Sequence, residues 1–164
     1  MTLNAAPEYQ PRPTVAVLAA LLCLLLAAVV AVQGARLVML DLEYTRLRTE
    51  VGFWGREGYH PEPPVLARTA EALEQLVARA PGQPDYLALQ ASALAWQAHY
   101  SDDYEQTVAL GNLALQAQLA AQQLRPAHRH GWSKVLEYAS RATMGSTAIE
   151  ESEARLLLLQ APRG

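Results

Sequence analysis

The chain has 164 residues, of which 51% are hydrophobic and 18% are charged, and its formal net charge is −3. That length holds one domain of ordinary size, or a smaller domain joined to another segment. The basic residues are scattered singly, so the chain has no positive field for collecting phosphates, and this argues against nucleic acid as a partner. The surplus of apolar residues lies in one uncharged segment, residues 14–35, which excludes an ordinary soluble protein.

Residues 14–35 have the length and composition of a transmembrane helix. Between Val15 and Val32 the segment contains only Val, Ala, Leu and Cys. About 20 apolar residues in a helix span a hydrocarbon core of roughly 30 Å. The alternative is a signal peptide cleaved near Gly34, but the apolar run exceeds the roughly 7–15 residues of a signal-peptide core. The sequence therefore predicts a short tail, residues 1–13, and a single-pass membrane anchor.

The charges on the two sides of the span set its predicted orientation. Arg36, Arg46 and Arg48 follow the span and only Arg12 precedes it, which by the positive-inside rule favours a cytoplasmic carboxyl-terminal domain. Acidic residues interrupt the second group, the amino terminus adds charge to the first, and long domains are translocated regardless of charge. We expect the soluble domain to be periplasmic.

One face of the predicted span carries small residues. Ala27, Ala31 and Ala35 recur every four residues, which is the spacing that lets another transmembrane helix approach closely. The alternative is that alanine only fills the apolar run. The sequence thus predicts contact with the lipid bilayer and leaves open a packing face for another membrane protein.

A stalk helix is predicted to continue from the span over residues 36–56. Its apolar residues recur at alternating spacings of three and four, which is the pattern of a single seam. The residues of this seam are Leu37, Leu40, Tyr44, Leu47 and Val51. The seam packs either on the chain's own carboxyl-terminal domain or on a partner, which includes a second copy of the chain in a homo-oligomer.

Residues 57–164 are predicted to form about five helices and no strand. Apolar stripes of helical period predict helices over residues 65–80, 85–99, about 104–124, 127–143 and about 147–160. Prolines separate most of them, because proline lacks a backbone donor and restricts the residue before it. Asp102, followed three residues later by Glu105, predicts an amino-terminal cap for the third of these helices.

Short consecutive helices separated by prolines suggest helix pairs of the tetratricopeptide type. Residues 72–86 and 119–132 each contain a helix end, a proline turn and the start of the next helix. Pro81 and Pro126 are 45 residues apart, whereas the repeat has about 34 residues, so the unit is stretched. The predicted fold class is all-α, with one amino-terminal transmembrane helix, a stalk and a small helical-hairpin domain that is tetratricopeptide-like.

The sequence carries no pattern of a catalytic, metal or cofactor site. The four histidines, His60, His99, His128 and His130, do not have a spacing that presents two ligands on one helix face. Cys23 lies alone in the apolar run. A phosphate-binding loop, a nucleophile elbow and a dinucleotide fingerprint are all missing from the sequence. We therefore expect a non-enzymatic protein without a cofactor.

The segment over residues 53–61 is unusual in composition. It combines three aromatic residues, two glycines and an arginine, and its candidate contact residues are Phe53, Trp54, Arg56 and Tyr59. Such a segment can form a platform that stacks on sugars or on a partner. The alternative, which we favour, is a loop whose aromatic side chains insert into the helical domain and seal its first helix pair.

Four segments resemble the VpsP-like family of bacterial polysaccharide biosynthesis proteins. They are residues 50–59 (EVGFWGREGY), 84–90 (PDYLALQ), 94–96 (LAW) and 125–132 (RPAHRHGW). The resemblance extends from Leu40 to Ala142, and the chain diverges from Met144 onward. It implies a small single-pass protein of the inner membrane associated with exopolysaccharide production. It carries no catalytic residues over to this chain.

These observations lead to three hypotheses about function. The first is a membrane-anchored adaptor that assists polysaccharide polymerisation or export through contacts with other inner-membrane proteins. The second is an accessory structural subunit of an unrelated inner-membrane complex, which docks through the span and the stalk. The third is a direct glycan-binding module that uses the aromatic segment at residues 53–61.

Overall fold

The computed structural model describes residues 13–142 and 146–160, and every regular element in those residues is an α-helix. The predicted tail at residues 1–13 lies outside the described residues, except for Pro13, and so does Met144. The six helices are α1 Pro13–Phe53, α2 Pro63–Arg79, α3 Pro84–Tyr100, α4 Tyr104–Leu124, α5 Arg129–Ala139 and α6 Ser146–Gln160. The prediction of an all-α chain with one long apolar amino-terminal helix is confirmed; the tetratricopeptide-like detail stays a prediction.

Helix α1 contains the part of the chain that is suited to a membrane. Its 41 residues run without a break, since no proline follows Pro13 until the helix has ended. By length and composition, Ala16–Phe53 is the one helix in the described residues that could cross a membrane. A signal sequence at the amino terminus meets the same criterion. The side chains of residues 16–39 are exposed in this structure, as the surface of a lipid-facing helix must be.

The chain divides into two units, one ending at Asp41 and the other beginning at Leu42. We call the second unit the helical unit. It includes the end of α1, from Leu42 to Phe53, and therefore most of the stalk predicted over residues 36–56. Leu47, Val51 and Trp54 are buried in it, with 2%, 5% and 1% of their surface exposed. The end of α1 is thus a core helix of the helical unit.

The helix boundaries follow from local chemistry. Proline occupies the first turns of α2 and α3, where a backbone N–H needs no partner inside the helix. Helix α4 is capped by Asp103, whose carboxylate accepts from the backbone N–H of Glu105 at 2.9 Å and of Gln106 at 3.4 Å. The prediction that Asp102 is the cap was wrong by one residue, because the backbone leaves the extended region only after Asp103.

Consecutive helices pack against one another from α2 to α6. The pairing of α3 with α4 is the most extensive, and buried alanines such as Ala91 and Ala114 let these two helices approach closely. A cluster of buried hydrophobic side chains joins α3, α4, α5 and α6. Its members are Ala91, Leu115, Trp132, Val135, Tyr138, Ala139 and Ala148. Helix α5 is shorter than the predicted 127–143, since a turn replaces its last residues after Ala139.

Candidate functional site

Trp54, the largest candidate contact residue, is a core side chain. Only 1% of its surface is exposed, and its indole N–H donates to Glu50 Oε1 at 3.1 Å. Its backbone carbonyl accepts from the Tyr100 hydroxyl at 2.7 Å. A ring enclosed in this way has no free face on which a sugar can stack. The structure thus places Trp54 where the sealing-loop interpretation of residues 53–61 requires it.

The other three candidate contact residues form a small cluster, of which Tyr59 binds the same carboxylate. The Tyr59 hydroxyl donates to Glu50 Oε1 at 2.7 Å, and the rings of Phe53 and Tyr59 lie 5.9 Å apart. The Arg56 guanidinium lies 4.3 Å from the centre of the exposed Phe53 ring, which is within cation–π range. The structure therefore brings Phe53, Arg56 and Tyr59 together in a cluster that is more exposed than Trp54, and Glu50 links Tyr59 to the buried indole.

We predict that the bond between Tyr59 and Glu50 makes the fold weaken in alkaline solution. The hydrogen bond to Glu50 raises the pKa of Tyr59 above 10.0, because the bond requires the phenol proton. The folded chain therefore keeps this proton to a higher pH than the unfolded chain does. The stabilisation is complete below about pH 10 and is lost as the pH rises beyond it.

The measurement is the melting temperature of the full-length chain in detergent between about pH 9 and pH 11. We expect the Tyr59→Phe variant to lose less stability over this range than the parent chain. Tyr104→Phe is the matched control, since Tyr104 is 78% exposed. Equal slopes for Tyr59→Phe and the parent chain would contradict the prediction.

The structure leaves the predicted packing face of the span open and divides the predicted seam. Ala27, Ala31 and Ala35 are all exposed, and Leu37 is 63% exposed. The rest of the seam, Leu40, Tyr44, Leu47 and Val51, is buried or half-buried. For the part of the seam in the helical unit, the structure favours packing on the chain's own domain.

Two further contacts tie the end of α1 to the helical unit. The ring of Tyr44 lies 5.1 Å from that of Tyr86 on α3. Glu43 forms an ion pair with Arg79 at the end of α2, with 2.7 Å between the nearest atoms. Burial raises the pKa of Tyr44, and the nearby carboxylate of Asp85 adds to the effect.

An open groove crosses the helical unit between one face of α3 and one face of α5, and we call it the α3–α5 groove. It consists of three adjoining cavities of about 530, 280 and 280 Å³. Neighbouring cavities share lining residues: Ser92 and Lys134 at one junction, and Ala95, His99, Tyr138 and Arg141 at the other. A cleft of this size and continuity is the default candidate for a binding site in a helical domain.

Helical periodicity explains why these side chains line one groove. On α3 the residues Asp85, Ala88, Ser92, Ala95 and His99 are spaced three or four apart, so they share a face. The stripe of residues that faces α3 across the groove begins on α5 and ends at Arg141, two residues after that helix. It consists of Gly131, Lys134, Tyr138 and Arg141. The two stripes meet where the hydroxyls of Ser92 and Tyr138 lie 3.3 Å apart.

Positive charge collects at one end of the groove. Arg48, Arg125, His128, His130 and Lys134 line the same cavity, and we call them the basic end. An ion pair with Asp85 at 2.7 Å holds the Arg125 guanidinium, and one with Glu137 at 2.7 Å holds the Lys134 ammonium. The charges are thus fixed in position while they remain at the surface of the cleft.

Sequence reasoning missed this groove. In the sequence, its charged residues have the pattern of ordinary solvated faces on separate helices, and the spacing of His128 and His130 indicates only that they do not form a metal site. The only sequence signal is the three-and-four spacing of small and polar residues on α3. The described residues contain no group of three or more His, Cys, Asp or Glu side chains that could hold a metal ion, and Cys23 has an exposed, free thiol.

No family model, curated protein or solved structure gives a significant match to this chain. The features that bear on function are therefore the geometry of the helical unit, the apolar part of α1 and the resemblance to the VpsP-like family.

Proposed function

We propose that this chain is a membrane-anchored, non-catalytic adaptor that assists the synthesis or export of a bacterial exopolysaccharide. The observation that carries the proposal is the open α3–α5 groove in a helical unit whose first helix is continuous with an apolar, membrane-length segment. Open grooves and exposed helix faces bind partners, and an anchor of this length keeps such a complex at a bilayer. The polysaccharide pathway comes from the resemblance to the VpsP-like family.

The anchor supplies the second part of the proposal. The exposed alanine face, Ala27, Ala31 and Ala35, and the exposed Leu37 are free to meet the helices of other inner-membrane proteins. In this proposal the helical unit lies in the periplasm, the compartment through which an exopolysaccharide passes. The partners are then membrane proteins of the polymerising or exporting machinery.

The test is purification of the full-length chain from its native membranes in mild detergent, followed by mass spectrometry of the proteins that come with it. We expect glycosyltransferases, a polymerase or export proteins. A set of unrelated membrane subunits in fixed stoichiometry would instead support an accessory structural subunit of another complex. A clean monomer would count against both functions.

A genetic measurement separates the pathway from the interaction. Deleting the gene is expected to change the amount or the chain length of the secreted polysaccharide, and the unaltered gene should restore both. The Gly82→Ala variant is a suitable second complementing chain, because a methyl group at Gly82 meets no atom within 4 Å and this residue lines none of the three cavities of the groove. Unchanged polysaccharide after deletion would contradict the proposed pathway even if partners co-purify.

A further inference from the structure

We propose that the α3–α5 groove binds a segment of an acidic polysaccharide, whose carboxylates lie against the basic end. This inference rests on the proposed function and narrows it, because it assigns the pathway's polymer as a ligand of the chain itself. It also relocates the glycan site from the aromatic segment at residues 53–61, where Trp54 is enclosed, to the groove.

The charge of the groove favours an anion. Its lining contains four cationic side chains, Arg48, Arg125, Lys134 and Arg141, and two carboxylates. The chain as a whole has a net charge of −3, so this positive excess is local. Both carboxylates already have cationic partners: Asp85 pairs with Arg125, and Glu137 pairs with Lys134 at 2.7 Å and with Arg141 at 3.7 Å. Guanidinium groups bind carboxylates through paired, charge-assisted hydrogen bonds.

The shape of the groove favours an extended polymer. From Asp85 to His99 the lined face of α3 is about 21 Å long at 1.5 Å per residue. Small residues form much of its floor, and a methyl group added at Gly111 would meet only open space. A chain of sugars can therefore lie along α3 without displacing a large side chain.

The chemistry of the lining favours sugar over polypeptide. Hydroxyl, imidazole, guanidinium and carboxylate groups line the groove, and these groups donate to and accept from sugar hydroxyls. Grooves that hold the apolar side chains of a peptide instead provide apolar pockets for them. Among the described lining residues Leu89 is the one aliphatic side chain larger than alanine, and it is only 9% exposed.

Arg125 is oriented at the cavity wall by an ion pair. Its Nη2 atom donates to the Asp85 carboxylate at 2.7 Å, and its side chain is 35% exposed. The guanidinium therefore has a preferred position in the basic end and stays accessible to an anion in the groove.

The experiment measures binding of a hexagalacturonate to the full-length chain in detergent by calorimetry at low salt. The matched probes are the same hexasaccharide with its carboxylates methyl-esterified and a hexaglutamate peptide. We expect hexagalacturonate to bind, the ester not to bind, and the peptide to bind more than about tenfold more weakly, because it lacks the hydroxyls.

The matched variants locate the site. Arg48→Gln combined with Lys134→Gln should weaken hexagalacturonate binding by more than about tenfold, since two charge-assisted contacts are removed. Arg46→Gln changes an exposed arginine on α1 that lines none of these cavities, and it should alter binding by less than about twofold. Melting temperatures of both variants verify folding.

The inference would be overturned by no binding of hexagalacturonate, by equal binding of the ester, or by equal loss in the Arg46→Gln variant. Equal or tighter binding of hexaglutamate would make the groove a site for acidic polypeptide. In any of these cases, co-purification of polysaccharide machinery would leave the adaptor function standing, so the two proposals can fail separately.

Discussion

Replacing Trp54 by alanine is expected to lower the free energy of unfolding of the helical unit by about 3–5 kcal/mol. The indole is 1% exposed, and its removal leaves a cavity between the end of α1 and the end of α3, where Tyr100 binds the Trp54 carbonyl. The measurement is urea unfolding of the full-length chain in detergent, followed by near-ultraviolet circular dichroism.

Phe53→Ala is the matched control, because the neighbouring ring is 36% exposed. Its loss should cost about 1 kcal/mol or less. If Trp54→Ala instead left stability unchanged and abolished binding of a neutral oligosaccharide, the aromatic segment would be a glycan platform after all.

A single methyl group at Gly131 is expected to destabilise the helical unit by about 2 kcal/mol. The side-chain amide of Gln122, which is 2% exposed, occupies the space that a Cβ at Gly131 needs. That amide donates to the His128 carbonyl at 3.0 Å, so displacing it breaks a bond at the start of α5. The gain in helix propensity from Gly to Ala, about 1 kcal/mol, only partly offsets the loss.

Gly111→Ala should have the opposite sign. Gly111 lies within α4 with open space around a Cβ, so alanine should raise stability by about 0.5–1 kcal/mol. In the Gly131→Ala chain, adding Gln122→Ala should cost less than it does alone, because the clash and the hydrogen bond are one interaction. Additive effects of the two substitutions would refute this explanation, and unfolding midpoints in urea decide between them.

Features of the fold that depend on residues close together in the sequence could be predicted, and features that depend on distant residues could not. The prolines at positions 63, 84 and 126 and the apolar stripes located the helices, since both act within a few residues. The sequence does not decide the role of Trp54, because its backbone carbonyl is bound by Tyr100, 46 residues later. The neighbouring Gly55 likewise depends on a residue that is distant in the sequence, because a Cβ there would lie 2.6 Å from the Trp96 ring.

The α3–α5 groove could not be predicted for the same reason. Arg48, Asp85 and Lys134 each lie on the polar side of a different helix, and polar sides are normally solvated. Their convergence on one cavity depends on tertiary packing, in which α4 contacts both α3 and α5. A three-and-four spacing identifies a face, but it does not say which other face lies opposite.

Because each helix from α2 onward packs on its neighbours in the sequence, the helical unit has a low contact order and can fold while it is synthesised. The hydrogen bond from Tyr100 to the Trp54 carbonyl can form only after Tyr100, 46 residues later in the chain, has been synthesised. At about 5–20 residues per second, this delay lasts a few seconds. The α5 side of the groove is synthesised later still, so the contact between Tyr100 and Trp54 can form before the groove is complete.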